Sequence, residues 1–303
     1  MTPHRTTSGN PSADRRVDFA LMLFAEGDFS GAAQTMLSAL EIAPDWALGW
    51  FQLGEFHEAA GDREAAVTAW RTALGLDPDD HAGASLKLAL AGAGDMGAPP
   101  SAFVETLFDQ YAPTFDEALV NALGYRAPVL LEAAIRASGR ERFPLALDLG
   151  CGTGLMGERL RRMCDRLEGF DISAAMLRKA RAKGLYDRLE KADLQAFAYD
   201  GPQAGLVTAA DVFMYVGALD GIFAAIAGLL APGGLFAFTV ERLETDGPFA
   251  LGQSRRFAHS EAYVRRLLAV SGLALVSLRE ERIRDDRREP VIGLIVVATP
   301  ASG

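Results

Sequence analysis

The stretch Leu145-Ala146-Leu147-Asp148-Leu149-Gly150-Cys151-Gly152-Thr153-Gly154 decides how the rest of the chain is read. An apolar run of strand length passes into three glycines and then into residues with helical spacing. Glycines in such a turn tolerate positive φ and let a ligand lie against bare backbone. Amides at the start of the following helix can receive a carboxylate or a phosphate. The turn by itself implies a nucleotide-like ligand. Gly152-x-Gly154-x-x-Gly157 also matches the dinucleotide fingerprint as written, which keeps a nicotinamide-dependent oxidoreductase open as an alternative. Asp148 argues against it. A carboxylate buried in a strand is costly unless something compensates it. It suits a cationic ligand and would repel a pyrophosphate; capping of turn amides is the purely structural alternative.

The landmarks that follow continue the pattern. In Glu168-Gly169-Phe170-Asp171-Ile172-Ser173, Asp171 ends a second strand, where a carboxylate can accept both hydroxyls of a ribose. Its structural alternative is to cap the next helix, which Ser173 could do equally well. Met176, one turn later, either lines an adenine pocket or packs in the core. Asp193 and Leu194 follow an expected third strand, placed so that the carboxylate and the amide can meet the edge of an adenine. Asp211 lies at the end of a fourth strand, facing the cleft. Pro232-Gly233-Gly234 reads as a turn into the next strand, Leu235–Glu241.

Strand candidates are Ala146–Leu149, Gly169–Ile172, Leu206–Ala209, Leu235–Val240, Leu273–Leu278 and Val291–Ala298. Helices are expected over Leu155–Arg166, Ala174–Ala182, Gly217–Leu230 and Glu261–Ser271, with a further helical stretch, Phe103–Leu123, ahead of them. Strand–helix alternation implies a parallel sheet covered on both faces. The charged segment Arg279–Glu289 is too polar for a covering helix, so a hairpin is expected there, with the last strand antiparallel.

The N-terminal third is different. Trp50, Leu53, Gly54, His57, Gly61, Ala66, Trp70, Ala73 and Pro78 are echoed 34 residues earlier by Arg16, Ala20, Leu23, Gly27, Ala32, Met36, Ala39 and Pro44 at matching offsets. Gly27-Asp28 and Gly61-Asp62 provide left-handed helix ends, and the prolines stop the second helix of each pair. This spacing resembles tetratricopeptide repeats (TPR), with His57 in place of the usual Tyr and Arg16 in place of the first Trp. A third helix, His81–Ala91, would cap the array. Gly92–Pro100 reads as a linker. Two domains are therefore expected: a TPR-like helical domain over 1–94 and an α/β domain over 101–303.

Taken jointly, DLGCGTG, GFDIS, KADL, AADVF and APGG, in this order and spacing, resemble class I S-adenosylmethionine (SAM) dependent methyltransferases. Phe108–Asp116, Leu123–Pro128 and Arg256–Ser260 resemble the bacterial members that carry N-terminal tetratricopeptide repeats. The resemblance implies a Rossmann-like seven-stranded sheet with an antiparallel last strand, and SAM as cofactor. It implies that Gly150, Cys151 and Gly152 contact the methionine part of SAM, whose ammonium suits Asp148. Asp171 and Ile172 would meet the ribose and adenine edge, and Asp193 and Leu194 the adenine. Asp211 would lie near the methyl donor, and Tyr111 on a helix closing over the cofactor, unless it is a core aromatic with Phe108 and Phe115. Ala218 departs from the pattern, which has an acid after Gly217.

Composition narrows the partners. The chain has 303 residues, half of them apolar, and a formal charge of −10, which argues against a nucleic-acid surface held by phosphate contacts. The clusters Arg159, Arg161, Arg162, Arg166 and Arg255, Arg256 read as solvated surface. The two cysteines, Cys151 and Cys164, form no CxxC pair, so neither a disulfide framework nor a metal site is expected. No stretch has the length of a membrane span and the first residues do not read as a signal peptide, so a cytoplasmic location is expected.

Methyl transfer from a sulfonium is an in-line displacement, so the protein mainly aligns the reactants and excludes water. A base matters only when the nucleophile arrives protonated. The candidates for that role are His259, in a loop that can cover the cleft, Tyr215, and Glu241 at the ligand-facing end of the fifth strand. His259 could instead cap the helix beginning near Ser260, and Glu241 could bind substrate or pair with an arginine. The expected acceptor is a small molecule, with a protein acceptor or a peptide partner at the repeats as further options; Arg255 and Arg256 would suit an acidic one. The remaining alternative is an adaptor with a non-catalytic SAM fold.

Overall fold

The computed structural model describes residues 6–95, 97–117, 119, 123–286 and 289–301. The chain divides into two compact units, Met1–Phe103 and Val104–Gly303.

In the first unit, α1 (Pro11–Ala25) pairs with α2 (Phe29–Leu40) and α3 (Ala47–Ala59) with α4 (Arg63–Leu76), followed by α5 (Ala84–Leu90). Both pairs turn on a left-handed glycine, Gly27 at φ 85° and Gly61 at φ 81°. The aspartate after each glycine then caps the second helix, Asp28 accepting from Gly31 N–H at 2.9 Å and Asp62 from Ala65 N–H at 3.0 Å. Small residues set the helix spacing: a Cβ at Gly54 would lie 2.2 Å from the indole nitrogen of Trp70. The third helix begins later than His81 because Asp80 caps it, accepting from Ala84 N–H at 2.6 Å and Ser85 N–H at 2.9 Å.

Helix α6 (Ser101–Tyr111) and the short α7 (Phe115–Glu117) precede α8 (Ala127–Ala137). The helical stretch expected to run to Leu123 falls partly on residues 118 and 120–122, outside the described residues. From β1 (Phe143–Leu149) onward, strands alternate with helices: α9 (Gly157–Leu160), β2 (Cys164–Asp171), α10 (Ala174–Ala182), β3 (Arg188–Lys191), β4 (Ala204–Ala209), α11 (Asp220–Leu229) and β5 (Leu230–Arg242). A hairpin of β6 (Phe249–Leu251) and β7 (Phe257–His259), then α12 (Glu261–Val270), β8 (Leu273–Asp286) and β9 (Glu289–Pro300) complete the unit.

The sheet is mixed. Strands β3, β2, β1, β4 and β5 are parallel neighbours in that order; β9 lies antiparallel between β5 and β8. Seven strands thus follow the expected plan. The β6–β7 hairpin was not expected, because three-residue strands carry too little alternation to read. It pairs with the end of β5 at Glu241 and Arg242, beyond the last residue β4 reaches, Phe238.

Two further expectations are corrected and a third is extended. The helix after the glycine turn spans only Gly157–Leu160, because β2 already begins at Cys164 and Arg161 turns back to bond the carbonyls of Cys164 and Asp165. The turn at Pro232–Gly234 is a bulge inside β5, where Ala204 and Leu206 of β4 pair with Leu230 and Leu235. The charged segment after Leu278 is not merely a connection: β8 carries it as strand to Asp286, burying Ile283 and Arg284. Core side chains fill both faces, with Phe213, Phe223, Phe236 and Phe238 on one and Leu131, Phe143, Leu160 and Ile295 on the other. No helix among the described residues is long and apolar enough to cross a membrane.

Candidate active site

Strand β1 ends at Leu149, and the next glycines take φ 65° (Gly150), 54° (Gly152) and 94° (Gly154). A Cβ on Gly150 would sit 2.5 Å from Val212, so that position is closed to side chains. At Gly152 a Cβ would meet only Phe115, at 3.9 Å, leaving bare backbone facing open space. Asp171, at the end of β2, locks this turn: its Oδ2 accepts from Gly152 N–H and its Oδ1 from Ser173 N–H, both at 2.8 Å. Ser173 also caps α10, its hydroxyl accepting from Met176 N–H at 3.0 Å.

Asp148 lies one layer below. It is 1% exposed, with Oδ2 accepting from the Tyr186 hydroxyl at 2.7 Å and Oδ1 from Thr208 Oγ1 at 2.9 Å. Burial raises the pKa of both carboxyls to about 6, against the pull of their hydrogen bonds. Both acids therefore keep their protons to higher pH than exposed aspartates, and a cation nearby would favour their charged forms.

A cavity of about 310 Å³ opens over the turn, at the carboxyl ends of the strands. Its wall includes Gly150, Cys151, Gly152, Asp171, Ile172, Asp193 and Leu194 at one end, and Asp211 and Tyr215 at the other, with Tyr111 across the mouth. Tyr111 is 53% exposed, so it is not a core aromatic. Asp193 also caps a short 3-10 turn, accepting from Gln195 N–H at 2.9 Å.

Four sequence candidates are not on this wall. Asp148 faces the packed layer under the turn rather than the cavity. Met176 is fully buried core. Glu241 is tied by one oxygen to the guanidiniums of both Arg256 (2.8 Å) and Arg284, which commits it to holding them. His259 is fully buried on β7, its Nε2 donating to the Gly217 carbonyl at 2.6 Å, and burial pushes its pKa down to about 4. It therefore stays neutral near pH 7. Nor does it cap the next helix: Ser260 does, accepting from Tyr263 N–H at 3.2 Å.

The far end of the cavity joins Asp211, Tyr215 and Arg256, which the sequence singled out, to Arg284, Asp286 and Met214, which it did not. Arg284, 3% exposed on β8, reaches both Asp211 and Glu241, while Arg256 bonds Glu241 and Asp286. Arg256, Arg284, Asp286 and Met214 all line the wall. Asp211 adopts φ 60°, and its amide donates to Thr239 Oγ1 at 2.8 Å; strained non-glycine backbone of this kind is held only where the surroundings over-determine it. Tyr215 packs edge-on against Phe108, ring centroids 5.0 Å apart, and burial pushes its phenol up to about 12. It therefore stays protonated near neutral pH, able to donate a hydrogen bond but not to act as a base. The aromatic cover is anchored from behind: Asp109 accepts from Ser173 Oγ at 2.5 Å, Asp116 accepts from Thr153 Oγ1, and Lys179 donates to the Pro113 carbonyl at 2.7 Å. Two signals in the sequence point to this cover: the helical spacing of Phe108, Tyr111 and Phe115, and the family resemblance of Phe108–Asp116. Nothing local in the sequence marked Arg284.

Residues 147–238 match a family model described as a methyltransferase domain. The chain is 30% identical over 180 residues to malonyl-[acyl-carrier protein] O-methyltransferase of Enterobacter lignolyticus, covering 59% of this chain and 69% of that protein. It is 35% identical over 127 residues to methyltransferase-like protein 27 of Homo sapiens, covering 41% of this chain and half (50%) of that relative. A solved DhpI–SAM–HEP complex superposes with a TM-score of 0.51 at 23% identity, over 66% of this chain and 96% of that one.

Proposed function

Because this chain belongs to the class I SAM-dependent methyltransferases, we propose that it methylates a small acceptor carrying a carboxylate. SAM is its cofactor. The residues fit it: bare backbone at Gly152 and a buried acid behind the turn suit the methionine end, Asp171 the ribose, and Asp193 with Leu194 the adenine. When bound, SAM supplies an activated methyl that an acceptor oxygen takes in line while the C–S electron pair leaves with sulfur, so no proton need move.

The observation that carries the acceptor class is the pairing of two cavity-wall guanidiniums with the lack of a neutral-pH base beside them among the described residues. His259 is outside the cavity, Tyr215 holds its proton, Asp211 and Glu241 are bound to Arg284, and Asp286 is bound to Arg256. Such a wall suits a nucleophile that arrives already ionised. Arg256, steadied by Glu241 and Asp286, would hold the acceptor; Tyr215 would donate to it; Phe108, Tyr111 and Phe115 would exclude water. The O-methylation named for the Enterobacter relative is consistent with this reading. The oxidoreductase and adaptor alternatives gain no comparable support. For the first unit, the doubled helix pairs support a tetratricopeptide-like array that presents a surface to a peptide or protein partner.

The test is turnover of methyl-labelled SAM with a panel of small organic acids, alcohols and amines. Label in a base-labile methyl ester is expected. Label confined to base-stable products would overturn the carboxylate assignment.

A further inference from the structure

The third glycine of the dinucleotide-like phrase needs a reason in a protein that binds SAM. Gly157 has one: a Cβ there would meet the Tyr186 hydroxyl at 2.3 Å. The same ring would collide with a Cβ on Gly169 of β2 at 2.8 Å and press on one at Gly154 at 3.2 Å. Three glycines from two elements thus clear a slot for one phenol. The far end of that phenol donates to Asp148 at 2.7 Å.

We propose that Tyr186 is a positioning residue for the cofactor: its ring floors the glycine turn and its hydroxyl fixes the Asp148 carboxylate beneath the Gly150–Gly154 backbone. The inference rests on the reading that the methionine end of SAM lies over this turn. Without the phenolic donor, Asp148 would keep only the Thr208 hydroxyl and would hold its proton to higher pH. A neutral carboxyl offers the ligand's ammonium nothing to offset. The slot also explains how a chain can carry Gly152-x-Gly154-x-x-Gly157 without a diphosphate site, since its last glycine serves tyrosine packing.

The groups facing Asp148 make the proposal readable. Asp171 is the neighbouring acid; Cys151, Tyr186, Tyr125 and Cys164 are also near, and burial pushes all four of these thiols and phenols upward. Between pH 5 and pH 8.5 only the two carboxylates of this group titrate, and Tyr186 bonds just one of them.

The test is calorimetric binding of S-adenosylhomocysteine, the demethylated product, to the full chain from pH 5 to pH 8.5, comparing wild type, Tyr186→Phe and Asp171→Ala. Tyr186→Phe keeps the ring in its slot, so its Tm at pH 8.5 should stay within a few degrees of wild type. Its affinity should fall about threefold near pH 6.5, with much less loss at pH 8.5, because the acid limb moves up by about one pH unit. Unchanged affinity, or a loss uniform across pH, would overturn the proposal, while a weakened Asp171→Ala would still uphold the donor placement. Should Asp171→Ala bind like wild type, the donor placement itself fails. If Tyr186→Phe unfolds, Asp148→Asn takes its place and should flatten the part of the acid limb that remains in Asp171→Ala; an unflattened limb would count against the proposal.

Discussion

The two ends of the cavity are built in opposite ways. The donor end comes from short contiguous phrases: three glycines in one turn, Asp171 one strand later, Asp193 and Leu194 one strand after that. Each phrase carries its own backbone solution, so each is visible alone. The far end is assembled from single residues on Asp211, Arg256, Arg284 and Asp286, brought together by β5, β7 and the long β8–β9 hairpin. The glycine-turn end depends on local conformation and the far end on charges meeting across the sheet. A fixed cofactor suits the first arrangement and a variable acceptor the second.

The sharpest way to break this contrast is at Arg284. Arg284→Met strips two mostly buried acids, Asp211 and Glu241, of the buried cation they share, and should cost about 3–5 kcal/mol of folding stability by denaturant titration. A loss below about 1 kcal/mol would mean that this end is not held by charge pairing. At the donor end, Asp171→Ala should weaken cofactor binding by about 1–3 kcal/mol, read by calorimetry, through loss of a charge-assisted contact.

Asp148→Asn should show opposite signs for stability and binding. The folded pKa of Asp148, about 6, lies above its unfolded value, so the acid favours folding fully below about pH 4 and loses that contribution as pH rises through 6. At pH 8 the amide should therefore stabilise the apo protein, by about 1–3 kcal/mol, while lowering cofactor affinity. Loss of both would show that Asp148 is purely structural.

Arg256→Ala should raise the acceptor KM about tenfold or more and leave cofactor affinity within about twofold. If both change together, the ends are coupled and the comparison needs revising. The smallest effect is expected at His259. His259→Gln should leave the pH–rate profile between pH 6 and 8 unchanged, because the imidazole is already neutral there, and cost about 1 kcal/mol of stability through the Gly217 contact.

The same contrast explains what reading the residues in order could and could not achieve. Gly150, Gly152, Asp171 and Asp193 were legible because strand, turn and helix signals fix each of them within a few positions. His259, Tyr215 and Glu241 are all near the right ends of strands, yet only Tyr215 faces the cavity. Whether a side chain at a strand end turns inward is settled by its neighbours: the Gly217 carbonyl for His259, two arginines for Glu241. Met176 had two readings of equal standing, and packing selected the core.

The order of strands and helices, the glycine turn and the repeat of helix pairs are set by the sequence alone, because periodicity and left-handed glycines act over a few residues. Which acid touches solvent, which lies beneath the turn against Tyr186, and which arginines meet at the far wall of the cavity are decided by the tertiary structure. Those outcomes depend on charges and volumes from strands far apart in the chain, whose energies exist only once the sheet has closed.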